Sequence, residues 1–129
     1  MTILELAHDV RLSPEELNVV IQDQISKSPD IQSITILSTD GLPIASTSSK
    51  EEEIYSAMAA ASISLSERVL TTLQKGKVQD VMISGSNGFV MIRSAGENAV
   101  VSITARGHKN YGLVRVIAKR IATQVAEKF

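Results

Sequence analysis

The spacing of apolar and polar residues changes character several times along this chain, and each change predicts an element. From Ser49 to Gly76 the sequence SKEEEIYSAMAAASISLSERVLTTLQKG carries the longest helical pattern, with no Pro or Gly between its ends. Ser49 is a suitable N-cap and Glu52 completes a capping box. Glu51, Glu52 and Glu53 put negative charge at the positive end of the helix dipole. Lys75 falls in the last turn, and Gly76 follows as a residue able to take positive φ. At about 100° per residue, Ile54, Met58, Ala61, Leu65 and Val69 share one stripe. Tyr55, Ala59, Ile63, Leu70 and Leu73 share a second stripe beside it. Together they cover roughly 200°, twice the ~100° of an ordinary surface helix, and leave Ser56, Glu67 and Gln74 on the solvated side. One stripe is expected to pack on the molecule's own sheet and the other to meet a second molecule. The alternative is a helix wholly buried within a monomer. The small residues Ala57, Ala59, Ala60, Ala61 and Ser62 would let another backbone come close.

The rest of the chain reads around this helix. Residues 1–12 form a short arm whose Ile3, Leu4, Leu6, Ala7 and Val10 fit one or two amphipathic turns, too few to be stable alone. Docking on the domain, docking on a partner and fraying all stay open for it. The domain proper spans residues 13–129. Ser13-Pro14-Glu15-Glu16 starts a helix, with Ser13 as cap, Pro14 at the first position and Glu16 closing a capping box. Leu17, Val20, Ile21 and Ile25 are its apolar side, and Pro29 stops it near Lys27. Ile31 to Ser38 is a β-branched strand, apolar on both faces. Thr39-Asp40-Gly41 turns the chain into a short strand, Pro43 to Thr47, which Pro43 marks as an edge or a strand start.

After Gly76 the pattern alternates. Val78 to Ser84, Phe89 to Ser94 and Ala99 to Ala105 are strands, joined by Gly85-Ser86-Asn87-Gly88, with Asn87-Gly88 as the hairpin pair, and by Ala95-Gly96-Glu97-Asn98. Connections this short make an antiparallel meander. Tyr111 to Lys128 is a final helix, with Leu113, Ile117, Ile121 and Val125 recurring every four residues. The fold class is α+β: a five-stranded, mainly antiparallel sheet sandwiched by helices in the order α-β-β-α-β-β-β-α.

Composition narrows the function. The 129 residues carry 13 basic and 14 acidic groups, and 3% are aromatic, which leaves no electrostatic footprint for nucleic acid and few stacking platforms. There is no Cys, so disulfides and thiolate metal sites are excluded. No apolar run approaches the ~18 residues of a membrane span. The start lacks the charge pattern of a signal peptide. A cytoplasmic protein is expected.

Motifs for chemistry are absent. The glycines at 85, 88 and 96 belong to hairpins, not to a phosphate loop ahead of a helix. His8 and His108 have no second ligand at metal spacing. No G-x-S-x-G elbow exists. Glu51, Glu52 and Glu53 read as dipole and capping charge rather than an acid–base cluster. Arg68, Arg93 and Arg106 read as isolated, solvated residues. The expectation is a protein with no catalytic residues, no metal and no cofactor: not an enzyme.

Certain residues at their places in this order resemble the roadblock family, the dynein light chain roadblock-type domains, over about Pro14 to Phe129. They are the turn Thr39-Asp40-Gly41-Leu42-Pro43-Ile44-Ala45, the Ala/Ser-rich helix ending Leu73-Gln74-Lys75-Gly76, the two hairpins, and Asn110-Tyr111-Gly112-Leu113-Val114-Arg115, which looks like the family's N-x-G-x-x-R start. Longin and profilin-like domains share related architecture. The resemblance implies a dimer, with itself or another roadblock protein, in which the third strand pairs across a two-fold axis and the long helices pack side by side. On that basis the dimer interface is expected at Tyr55, Ala59, Ser62, Ile63, Ser66, Leu70, Val78, Asp80, Met82 and Ser84, and Ala59→Glu is expected to break it.

The resemblance also implies regulation of small Ras-like GTPases, or scaffolding of motor and signalling complexes. The bacterial gliding-motility type stimulates GTP hydrolysis by positioning the GTPase's own groups, without an inserted arginine finger. The GTPase contacts are then expected at Ser56, Ala60, Ser64, Glu67 and Thr71. A heterodimerising structural scaffold is one alternative. A small-ligand sensor with a pocket between sheet and helix is another.

Overall fold

The computed structural model describes residues 13–48 and 50–128. The arm, residues 1–12, lies outside the described residues. The elements are α1 (Pro14–Ser26), β1 (Ile31–Ser38), β2 (Pro43–Ser46), α2 (Glu52–Thr72), β3 (Val81–Gly85), β4 (Gly88–Ala95), β5 (Ala99–Arg106) and α3 (Tyr111–Lys128). They build the expected α+β sandwich on one sheet of order β2-β1-β5-β4-β3, in which every neighbouring pair is antiparallel.

The central strands are apolar on both faces because both faces are covered. Ile34 and Ile36 of β1, Val101 and Ile103 of β5 and Met91 of β4 enter a core closed by Leu17 and Ile21 of α1 and Ile117, Ile121 and Val125 of α3. Leu37, Ile92 and Val100 point the other way, into a smaller core closed by Ala59 and Ile63 of α2. Among the described residues, two helices therefore cover one face of the sheet and a single helix covers the other.

Local signals explain most of the boundaries. Ser13 Oγ accepts the Glu16 backbone N–H at 3.2 Å and donates back to the Glu16 carboxylate at 3.3 Å, with Pro14 at the first helical position. The start of α2 departs from the expected capping box. The helix opens at Glu52, and Glu51 occupies the cap with φ 57 and no side-chain cap bond; Ser49 lies outside the described residues. Glu52 is thus the first helical residue, one turn too early to close a box. Gln74, rather than Gly76, takes the left-handed position after the helix, at φ 56. The backbone N–H groups of Lys75 and Gln74 reach back to the carbonyls of Leu70 (2.8 Å) and Thr71 (3.1 Å), a Schellman ending. Gly76 follows two residues later with φ 89.

Two strand edges also shift. β3 starts at Val81, so Val78 and Asp80 precede the strand instead of lying in it. The β3–β4 hairpin turns on Ser86 and Asn87, because Gly85 pairs with Gly88. Gly88 is the first residue of β4, and a Cβ there would run into the carbonyl oxygen of Ala105 on the adjacent strand. The opposite edge of the sheet, β2, is only four residues long, begins at Pro43 and pairs with β1 through an irregularity between Ile36 and Leu37.

Ile103 pairs with Ile34 and Met91 on its two sides and is fully buried. Ile103→Ala is expected to lower the unfolding free energy by about 2–5 kcal/mol, measured by urea denaturation.

Candidate functional site

The long helix decides what this surface can do. Its two apolar stripes are separated by the sheet, in the opposite sense to the interface expected from the sequence. Ala59 and Ile63 are 2% and 7% exposed and pack on Leu37, Ile92 and Val100 of the molecule's own sheet. Tyr55 is half-buried beside them, its hydroxyl hydrogen-bonded to Ser102 Oγ of β5. Ser62, Ser66 and Leu70 flank this inner stripe and are partly covered. Ala59→Glu would therefore bury a charge in the monomer's core, and cannot report on pairing. Ser56, expected in solvent, is fully buried.

The other stripe is the open one. Ile54 is 65% exposed, Met58 57%, Leu65 64% and Val69 47%. At 100° per residue this stripe is centred roughly 130° around the helix from the sheet-facing line. The reason lies in the sheet beneath. The face under α2 presents Thr35 and Ser102 beside its aliphatic residues, and both are buried. Thr35 is bonded to Ser46 of β2 and the stripe bearing Tyr55 can hydrogen-bond Ser102, whereas Ile54, Met58 and Leu65 offer no polar group to match it.

A second apolar surface is open as well. β3 ends the sheet, and its Met82 and Ile83 are 49% and 50% exposed. Among the described residues its outer backbone groups face no other strand, and it carries no Pro and no charged residue along Val81–Gly85, the usual guards of an edge. Ser84 is also exposed on it, 3.4 Å from the Tyr111 hydroxyl. Met82 and Ser84 thus stand at a free edge. Val78 instead packs against the smaller core.

Asp80 has a different role from the one expected. Its carboxylate bonds Arg93 Nη1 of β4 at 2.5 Å and Arg115 Nε of α3 at 3.0 Å, and its side chain is 11% exposed. It ties the chain entering β3 to the neighbouring strand and to the helix behind. Arg93 is correspondingly 18% exposed at its side chain, not solvated. Arg106 is engaged too, donating to the carbonyls of Pro29 (2.8 Å) and Ile31 (3.3 Å). The available signal was an Asp and an Arg inside two otherwise apolar strand patterns of one hairpin. Pairing them required the register.

The polar flank of α2 borders a cleft of about 800 Å³ between the helix's C-terminal half, the approach to β3 and the β4–β5 turn. Ala60, Ser64, Glu67 and Thr71 line it together, with Lys77 and Glu97 across from them. Four of the five residues expected at a GTPase contact are thus gathered on one wall, and Ser56 is left out. The structure separates the long helix into three lines: one on its own sheet, one apolar and open, one polar and beside a cleft.

The family model of the Roadblock/LC7 domain matches residues 17–105. The chain belongs to this family. As a roadblock domain it superposes on solved relatives despite low identity. The Roadblock/LC7 domain from Streptomyces avermitilis matches with TM-score 0.78 at 16% identity, covering 84% of this chain and 92% of that one. The gliding protein MglB from Thermus thermophilus gives TM-score 0.78 at 15% identity, covering 92% and 93%. LokiProfilin1, solved in complex with rabbit actin, gives TM-score 0.59 at 12% identity, covering 92% and 99%, so the profilin-like architecture is shared as well. No curated protein sequence matches. In this roadblock domain α1, α2, β1–β4 and all but the last residue of β5 lie within or across the matched span, and α3 follows it.

Asp80→Asn removes the negative charge at the junction of two arginines. The expected cost is about 1–3 kcal/mol, read as a fall of several degrees in thermal midpoint. Asp23→Asn, which removes one partner of an exposed ion pair with Lys27, is expected to change stability by less than about 1 kcal/mol.

Proposed function

We propose that this roadblock domain pairs with a second copy of itself and that the pair is a docking platform for a small Ras-like GTPase, with no catalytic group of its own. The observation that carries the reading is the apolar stripe Ile54, Met58, Leu65 and Val69, left in solvent on the longest helix, on a molecule whose β3 edge is also unguarded. Pairing β3 with its counterpart would continue the antiparallel ladder. It would also bring two long helices to the same side of one sheet, where their apolar stripes can cover each other. Isologous two-fold pairing uses one patch twice, and is the commonest assembly symmetry.

Such pairing uses the apolar line of α2 and leaves the polar line free. Ser64, Glu67 and Thr71, with the adjoining cleft, then form the contact surface for the GTPase. The platform would act by holding the GTPase's own groups in place, an effect of positioning rather than of a supplied nucleophile, base or metal. A second reading, a small-ligand sensor, has one observation in its favour: the cleft lies between sheet and helix and mixes Ile63, Val78 and Val100 with polar side chains.

The test begins with molar mass by light scattering. A mass near twice 13.9 kDa is expected, reduced to one by Leu65→Glu, which places a charge in the proposed seam without touching the core. A persistent monomer would remove the self-pairing and favour assembly with a different roadblock protein. With the dimer in hand, a cognate GTPase is expected to bind in a nucleotide-dependent way, and Glu67→Arg with Thr71→Arg to weaken it at least ten-fold without changing the mass. Equal binding by that variant would move the GTPase contact elsewhere.

A further inference from the structure

The 13 basic and 14 acidic residues of this chain nearly cancel, but they are not mixed. From Asn98 to Ala126 there is no Asp or Glu, while Arg106, Lys109, Arg115, Lys119 and Arg120 all fall there. Most of that stretch is β5 and α3. The inner line of α3, Val114, Ile117, Ala118, Ile121, Ala122 and Val125, is buried on the sheet. Its outer line is therefore what the molecule shows on this side.

That outer line has an unusual centre. Leu113 and Val116, one turn apart, are 53% and 51% exposed. The spacing that made Leu113 look like a core position places it outside. Lys109, Lys119 and Arg120 are exposed around the pair, and among the described residues none of them has an ion-pair partner. The acidic groups nearest by contact are engaged: Asp30 is bonded by Asn110 at the helix start, and Asp80 holds Arg115 and Arg93. Glu127 bounds the surface at the far end.

We propose that the outer face of α3 docks on an anionic lipid bilayer. Two apolar side chains ringed by long cationic ones suit the headgroup boundary. The apolar pair enters, and the Lys and Arg stems lie along the surface with their charges at phosphate level. The face is the convex side of a helix, and the principal clefts of the molecule are lined by other elements. A protein ligand would gain little shape complementarity on such a ridge, whereas a bilayer conforms to it. Each basic residue near an anionic surface contributes roughly five-fold in affinity, so a few of them with two apolar residues give reversible, salt-sensitive attachment. This inference does not depend on the GTPase reading.

The full chain is sedimented with phosphatidylcholine vesicles with and without phosphatidylglycerol. Binding is expected only with phosphatidylglycerol, falling as salt is raised. Lys119→Gln with Arg120→Gln is expected to weaken it roughly 25-fold. Leu113→Ser with Val116→Ser is expected to weaken it while leaving the salt dependence in place. Neither pair touches the buried line of α3, and unchanged circular dichroism checks the fold. Absence of binding to the anionic vesicles, equal binding to neutral ones, or full binding by the Lys119–Arg120 variant would each overturn the proposal. Binding to polyglutamate but not to vesicles would do so as well, and would give the face to an acidic protein.

Discussion

The antiparallel pairing of β1 with β5 is the constraint on which the other parts of this molecule rest. It joins Ile31–Ser38 to Ala99–Arg106, segments that the long helix and a whole hairpin separate in sequence. Without it there would be a two-stranded ribbon and a three-stranded meander, each with an unsupported apolar face. With it, Ile34, Ile36, Val101 and Ile103 become one continuous floor for α1 and α3, and Leu37 and Val100 become the floor for α2. The seam is fastened at one end by backbone and side chain together: the Arg106 N–H donates to the Asp30 carbonyl at 2.8 Å, and its guanidinium holds the carbonyls of Pro29 and Ile31. Closing so distant a contact is costly in chain entropy. The buried aliphatic residues on both sides of the seam are what offset it.

The unequal covering of the two faces follows from this arrangement. Two helices lie on one face and their buried lines interlock with the larger core. On the other face, α2 is the one described helix, and its inner line is largely made of small residues, with Ala59 and Ile63 at the centre. The small residues let the helix sit close, as at Gly41, where a Cβ would approach the Ala57 backbone to 3.1 Å. They also leave most of the helix's aliphatic bulk, Ile54, Met58, Leu65 and Val69, pointing outwards. A helix that packs through its alanines and displays its larger residues leaves a contiguous apolar stripe on its outer side.

Much of the fold was legible in the sequence because its signals are local. Ser13-Pro14 starts a helix, Pro29 stops it, β-branched runs make strands, and short connections force a meander. The wide apolar arc of α2 was legible too. Which half of it faces the sheet was not, because two adjacent stripes of similar hydropathy differ only in what lies under them. The hydroxyl of Ser102, placed under α2 by the sheet register, favours the stripe with Tyr55. Ser56 shows the same limit, since its position at the margin of the polar arc fits solvent and core equally well. The Asp80–Arg93–Arg115 cluster was hidden for a related reason. Three charges from a strand approach, a strand and a helix meet only through tertiary structure, and each alone looks like an ordinary surface residue. Leu113 erred the other way: its four-residue spacing with Ile117 is helical, but it lies at the edge of that stripe, beyond the sheet.

The difference between the two edges of the sheet sets a limit on growth. β2 is short, starts at a proline that has no N–H to offer, and is irregularly paired to its neighbour, so a further strand finds little to hold there. Among the described residues, β3 is regular and bare. A sheet that can be extended on one side only can be extended once. Two such sheets joined through β3 would expose nothing but blunted edges, and the product would be finite. The same molecule with a regular β2 would offer two sticky ends and could polymerise into fibres. Four residues at the far side of the sheet, remote from β3 and from the outer face of α3, would thus restrict any strand addition through β3 to a closed pair.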